Sequence, residues 1–208
     1  MKPILLLLMF VIVGCNSNEK RIISSGEIID STYYSRELDW NIEIPEEYTV
    51  DTYEKLEKST DLRDEIFKTP DGFKNVPTDL NLITFRKGQD NFFSSSVTSM
   101  NNTNLTFPDL QEAIVKSIDR TYSSLENTQH TLQTSEMKIG NLVFNKIQIE
   151  VRNASTGELI INQDLYNTLI DNKVFSASIN YNSDQEKEVM ERAFFKSVES
   201  KITLGNNI

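Results

Sequence analysis

The 208-residue chain holds one thiol, Cys15, and one imidazole, His130. A lone cysteine excludes an internal disulfide framework and any thiolate metal cage, and a lone histidine excludes the multi-histidine metal sites. No Gly-x-Ser-x-Gly pattern accompanies His130. Its neighbours Gln129, Thr131 and Leu132 look like the start of a strand, so a surface or strand histidine is a simpler reading than a catalytic base. Carboxylates cluster at Asp61/Asp64/Glu65 and at Glu186/Glu188/Glu191. Paired carboxylates can act as acid and base in glycoside hydrolysis. Both clusters fall in segments of helical pattern whose opposite sides are apolar, so each reads most simply as a solvated helix face. Calcium-loop, phosphate-loop and His-Glu-x-x-His patterns do not occur. Seven glycines in 208 residues leave little room for glycine-rich cofactor loops. The sequence therefore predicts no catalytic residue, no cofactor and no metal site. The glycosylation-like triplets beginning at Asn101, Asn104 and Asn153 read as chance matches.

Cys15 has a more specific setting. Met1-Lys2-Pro3 supplies a short positive start, and Ile4 to Val13 runs for ten residues without a polar side chain. A helix needs roughly 20 apolar residues to cross the hydrocarbon core, so this run reads as the apolar region of a signal peptide. It ends in Ile12-Val13-Gly14-Cys15, which resembles the lipobox of bacterial lipoproteins. Gly14 is small enough for a peptidase to approach the bond that follows it, and the Cys15 thiol is the nucleophile that accepts a diacylglyceryl group. Residues 1–14 are thus expected to be removed and Cys15 to be lipidated. Two or more acyl chains anchor a protein stably where one is marginal. The residue after the cysteine is Asn16 rather than Asp, which favours the outer membrane. Asn16-Ser17-Asn18-Glu19-Lys20 does not match the acidic surface-export signal of Bacteroidetes-type lipoproteins, which favours the side facing the periplasm.

The chain has 21 Lys+Arg against 31 Asp+Glu, a net charge of −10. That balance argues against nucleic acid, which requires a basic footprint. Removal of residues 1–14 takes only Lys2 from the count and leaves a net charge of −11. Anionic head groups repel such a surface, so the membrane is expected to be reached through the N-terminal lipid alone.

The remaining pattern predicts one domain. Residues 15–37 are polar with scattered Ile and Tyr and read as the lipidated cysteine and a tether. From residue 38 to 208 the periods become legible. Trp40, Ile42 and Ile44 alternate with Asp39, Asn41 and Glu43 and stop at Pro45, a half-buried strand. Asp51 with Glu54 opens a ragged helical pattern to about residue 67. Leu80–Phe85 and Phe92–Val97 read as two strands around Lys87-Gly88-Gln89-Asp90. Pro108 sits in the first turn of a helix whose Leu110, Ala113, Ile114 and Ile118 share a face. Four strand-like runs follow over 129–138, 141–152, 158–170 and 173–181, with turns at Gly140-Asn141, Ser155-Thr156-Gly157 and Asp171-Asn172. Ser183 and Glu186 form a capping box for a last helix with Val189, Met190, Ala193, Phe194 and Val198 inward. Consecutive hairpin-joined strands imply an antiparallel sheet, and helices must cover it. The expected class is α+β: about six to seven antiparallel strands flanked by helices.

Three stretches carry a resemblance to a known fold. Trp40-Asn41-Ile42-Glu43-Ile44-Pro45-Glu46-Glu47-Tyr48 looks like the opening strand of the Mog1/PsbP-like fold, found in small exported bacterial proteins of the DUF1795 and DcrB kind. Leu165–Ile170 with Val174–Tyr181 resembles its late hairpin, and Glu186–Val198 its closing helix. The likeness spans about residues 38–200. It implies an α/β/α sandwich and a family that is generally non-catalytic and acts through protein contacts, with no site residues to carry over.

The expectation is a lipid-anchored, non-enzymatic protein of the bacterial envelope that acts as a protein-interaction or assembly module with an envelope protein partner. A small-ligand or lipid-binding lipoprotein is the first alternative, and a carboxylate-dependent envelope hydrolase the second. Phe92-Phe93 and Phe194-Phe195 each set adjacent rings on different sides of one element, so one ring of each pair could be less buried and mark a contact surface. The simpler reading has both rings covered by neighbouring layers.

Overall fold

A computed structural model describes residues 21–23, 25–51, 80–101 and 105–201. The expected signal segment, Cys15, the helical pattern expected after Asp51 and the Asp61/Asp64/Glu65 cluster lie outside the described residues.

Seven strands form the main sheet: β5 (Thr49–Val50), β6 (Leu80–Lys87), β7 (Asn91–Ser99), β8 (Thr128–Ile139), β9 (Leu142–Asn153), β10 (Leu159–Ile170) and β11 (Lys173–Asn180). Their spatial order is β5-β6-β7-β11-β10-β9-β8, and every pairing is antiparallel. Strand number and direction agree with the sequence. Two tight turns explain how the long strands stay in register. Gly140, at φ +57°, opens the two-residue turn between β8 and β9, while Asp171 and Asn172, at φ 46° and 61°, make the one between β10 and β11. Positive φ values of this kind give a turn whose twist matches the strands it joins.

A second sheet holds β1 (Arg21–Ile23), β2 (Gly26–Ile29), β3 (Thr32–Ser35) and β4 (Asn41–Glu43), in that order. This corrects the expected tether, because 21–35 carries three strands and packing begins before residue 38. The strands have only three or four residues each, too few to display a period. The turn between β2 and β3, Asp30-Ser31, uses two non-glycine residues at φ 47° and 62°. Ile28 and Tyr33 carry the packing of this hairpin, and Tyr33 is fully buried.

Helices α1 (Phe107–Ser123) and α2 (Asp184–Lys201) cover opposite faces of the main sheet. Thr106 caps α1: its hydroxyl accepts from the Asp109 N–H, and the Asp109 carboxylate accepts from the Thr106 N–H at 3.1 Å. Ile114, Ile118 and Tyr122 then pack on Ile147, Ile149 and Val151. On the other face Met190, Phe194 and Val198 of α2 enter a core with Phe85, Phe93, Phe144, Tyr166 and Phe175. Phe194 is the hub of that core, with its ring 5.3–6.3 Å from those of Phe93, Phe144, Tyr166 and Phe175. Trp40 joins from the small sheet, 5.0 Å from Phe175. Fully burying such side chains contributes roughly 1.5–3 kcal/mol each, so this aromatic layer holds α2 and both sheets together.

Candidate functional site

Where α2 leaves the aromatic layer, six polar side chains meet under it. The β9–β10 register sets Lys146 directly opposite Tyr166, and Asp164 lies two residues earlier on the same face. Tyr181 follows β11, and α2 contributes Lys187 and Glu191, one helical turn apart. The Asp164 carboxylate is fully buried and accepts from Lys146 Nζ at 2.9 Å and Lys187 Nζ at 3.1 Å. The Tyr166 hydroxyl donates to Glu191 Oε1 at 2.6 Å, and Glu191 lies 3.7 and 3.9 Å from the two lysines. Each ammonium also sits over a ring, Lys146 over Tyr166 at 5.1 Å and Lys187 over Tyr181 at 5.0 Å.

Charge balance explains why this arrangement is tolerated. A buried carboxylate is costly unless it is paired and hydrogen-bonded, and here two ammoniums match two carboxylates. Burial, reinforced by the bond to Glu191, pushes the Tyr166 phenol far above its ordinary range. Burial and the nearby Asp164 charge push Tyr181 the same way. Burial works against the Lys187 ammonium, but the Asp164 carboxylate together with Tyr181 and Glu191 holds that lysine above its usual value. Every ionised group thus has an opposite partner within the cluster. The arrangement can fix α2 on the sheet, and neither carboxylate is left to serve as a free base.

A second polar group closes the start of α2. The Tyr48 hydroxyl donates to Glu186 Oε2 at 2.6 Å, and Lys87 Nζ reaches Glu186 Oε1 and Glu47 Oε2, both at 2.8 Å. Lys87 and Tyr48 hold the Glu186 carboxyl below its ordinary range against the effect of burial. Beside it, Arg86 Nε donates to both Asp51 oxygens at 2.7 and 2.8 Å while its guanidinium lies 5.5 Å from the Phe92 ring.

These contacts redistribute the residues singled out by sequence. Glu186/Glu188/Glu191 is not one solvated face: Glu188 is exposed, whereas Glu186 and Glu191 turn inward to different partners. Helical spacing alone could not show this, because their partners lie on Tyr48, Lys87, Lys146 and Tyr166. The expected capping box is half made. The Glu186 N–H donates to Ser183 Oγ at 3.4 Å, while the carboxylate is spent on Tyr48 and Lys87. His130 lies away from both groups, on the α1 face, where Nε2 meets Asp119 Oδ1 at 2.9 Å. Sequence reasoning misses Asp164, although it shares the inward phase of Tyr166 and Ile170 on β10 and so is legible as a buried acid. In both aromatic pairs one ring is fully buried, Phe93 and Phe194, and its neighbour is half-buried. Phe195 lies in an open depression with Glu188, Glu191, Arg192, Lys196 and Glu199. Among the described residues, no three His, Cys, Asp or Glu side chains converge as metal ligands would.

No family model and no curated protein matches the chain. Among solved structures it is similar to the solution structure of cyanobacterial PsbP (CyanoP) from Synechocystis sp. PCC 6803, with 13% identity, a TM-score of 0.50, and 81% of this chain and 88% of that chain covered. At that identity the likeness speaks for architecture alone. The chain has a PsbP-like α+β fold.

Proposed function

We propose that this chain is a lipid-anchored, non-catalytic protein of the bacterial cell envelope, of the DUF1795 and DcrB kind, whose PsbP-like domain docks an envelope protein. Ile12-Val13-Gly14-Cys15 supports the anchor, and Asn16 with the Ser17-Asn18-Glu19-Lys20 that follows supports the periplasmic side of the outer membrane. The observation that carries the non-catalytic part is the charge balance around Asp164. The densest set of acid and base groups among the described residues is matched ion for ion under α2. Apolar side chains remain available for contact at the surface: Val143 on β9 is 53% exposed and Leu169 on β10 is 41% exposed.

The test is fatty-acid labelling and whole-cell crosslinking of a tagged full chain beside its Cys15→Ser variant. The expected result is lipid on the wild type only, release of the variant from membranes, and one dominant protein captured by the anchored form. Lipid on the variant would overturn the anchor. An uncaptured chain carrying a bound small molecule in native mass spectrometry would overturn the docking role.

A further inference from the structure

Among the described residues the main sheet ends in an edge strand, β8, that is well prepared for pairing. Among the described residues β8 has β9 as its one neighbour. It is twelve residues long and pairs with β9 through twelve consecutive positions without a bulge. Natural sheets blunt such edges with short strands, bulges, prolines and lysines. The opposite edge strand, β5, has two residues. β8 contains neither proline nor bulge, and its one lysine, Lys138, lies at the end. Gln129, Thr131, Gln133, Thr134, Ser135, Glu136 and Lys138 are exposed. In a chain of net charge −10, this strip holds one acid and one lysine.

Which backbone groups face outward follows from the turn. Ile139 and Leu142 close a two-residue hairpin, so they exchange hydrogen bonds, and the antiparallel pattern alternates from there. Residues 139, 137, 135, 133, 131 and 129 direct their N–H and C=O groups to β9. Residues 138, 136, 134, 132, 130 and 128 direct theirs to the open edge.

We infer that β8 is the edge along which a second copy of this chain adds, antiparallel and two-fold symmetric about Gln133, joining two seven-stranded sheets. Only this register uses the whole run from 128 to 138, with the outward-facing residues exchanging hydrogen bonds. It sets Glu136 of each copy opposite His130 of the other, Thr131 opposite Ser135, and Leu132 opposite Thr134. No like charges face each other. Moving the centre to Thr134 would set Lys138 opposite His130, and moving it to Leu132 would leave Glu136 facing Thr128. The interface is small beside the roughly 1,200–2,000 Å² of stable complexes, so the dimer is reversible and concentration-dependent.

The test uses the full chain carrying Gln133→Cys. On the two-fold axis the two Cβ atoms stand about 4.5–5.5 Å apart, close to disulfide geometry. In a Cys15→Ser background, mild oxidation should give a covalent dimer of twice the chain mass through the introduced thiol, absent from the Cys15→Ser chain that keeps Gln133. Adding Thr134→Pro should abolish the dimer, because it removes an outward N–H and leaves the β9 ladder intact. Gln133→Lys should make the chain monomeric in sedimentation at every concentration by opposing two ammoniums at the axis, which keeps the test informative if the proline variant fails to fold. A thiol introduced at position 133 that reacts with maleimide but gives no dimer would overturn the inference. So would a crosslink to a different protein, or dimerisation unchanged by Gln133→Lys.

Discussion

Trp40 and Ser197, 157 positions apart, meet in the core, where the indole N–H donates to the serine hydroxyl at 2.9 Å. That hydroxyl donates in turn to the Phe194 carbonyl at 2.6 Å. The small N-terminal sheet is thereby tied to the last turns of α2 by a short polar relay inside an aromatic layer. The relay gives the indole an acceptor that a purely apolar pocket would lack.

Ser197→Ala should leave a buried indole N–H without this acceptor and destabilise the fold by about 1–3 kcal/mol. Trp40→Phe removes the donor, so a double-mutant cycle should show the serine substitution costing less in that background. Urea titrations followed by circular dichroism measure both. Equal costs in the two backgrounds would show that the relay does not link the small sheet to α2.

The Asp164 cluster makes a sharper prediction. Asp164→Asn keeps the shape but leaves the Lys146 and Lys187 side chains, 12% and 21% exposed, with Glu191 as the remaining carboxylate. Breaking a buried pair in this way costs about 3–5 kcal/mol. Chemical denaturation at pH 7 gives the value. A loss below about 1 kcal/mol, the level of an exposed pair, would mean that water reaches the site and that α2 is held by its aromatic contacts alone.

Much of this architecture is written locally. The two-residue turns at Gly140 and Asp171, and the inward phase of Met190, Phe194 and Val198, are short-range signals, and these elements lie where their residues put them. The first three strands are illegible because an element of three or four residues shows no period. Their inward residues Ile28 and Tyr33 gain meaning only through long-range packing. The polar cluster is hidden for a related reason. Lys146, Lys187 and Glu191 each look like ordinary surface residues in sequence, and only strand register and helix docking bring them together with Asp164. Asp164 is the exception, because its phase on β10 matches that of buried neighbours.

Glu186 gives the fold an acid-sensitive latch. Lys87 and Tyr48 hold its carboxyl below the ordinary range, so its folded value is depressed relative to the unfolded chain, where a glutamate titrates near about 4.3. A depressed carboxyl contributes stability that is fully present above the unfolded value and is lost as pH falls through the folded one. The Glu186 contribution should therefore be constant at neutral pH and decline from about pH 4.3 downward. Its partners behave oppositely: Tyr48, through burial first, and Lys87, through its bonds to Glu186, are both raised. Their contributions are present from the acid limb up to roughly pH 10 and fade above it. Glu186→Gln should lower stability at pH 7 and flatten the acid limb, bringing wild type and variant closer together as pH falls. Urea midpoints at pH 7, 5, 4 and 3 would show this convergence. Parallel curves across that range would mean that Glu186 is already solvated and that its charge does not fix the start of α2.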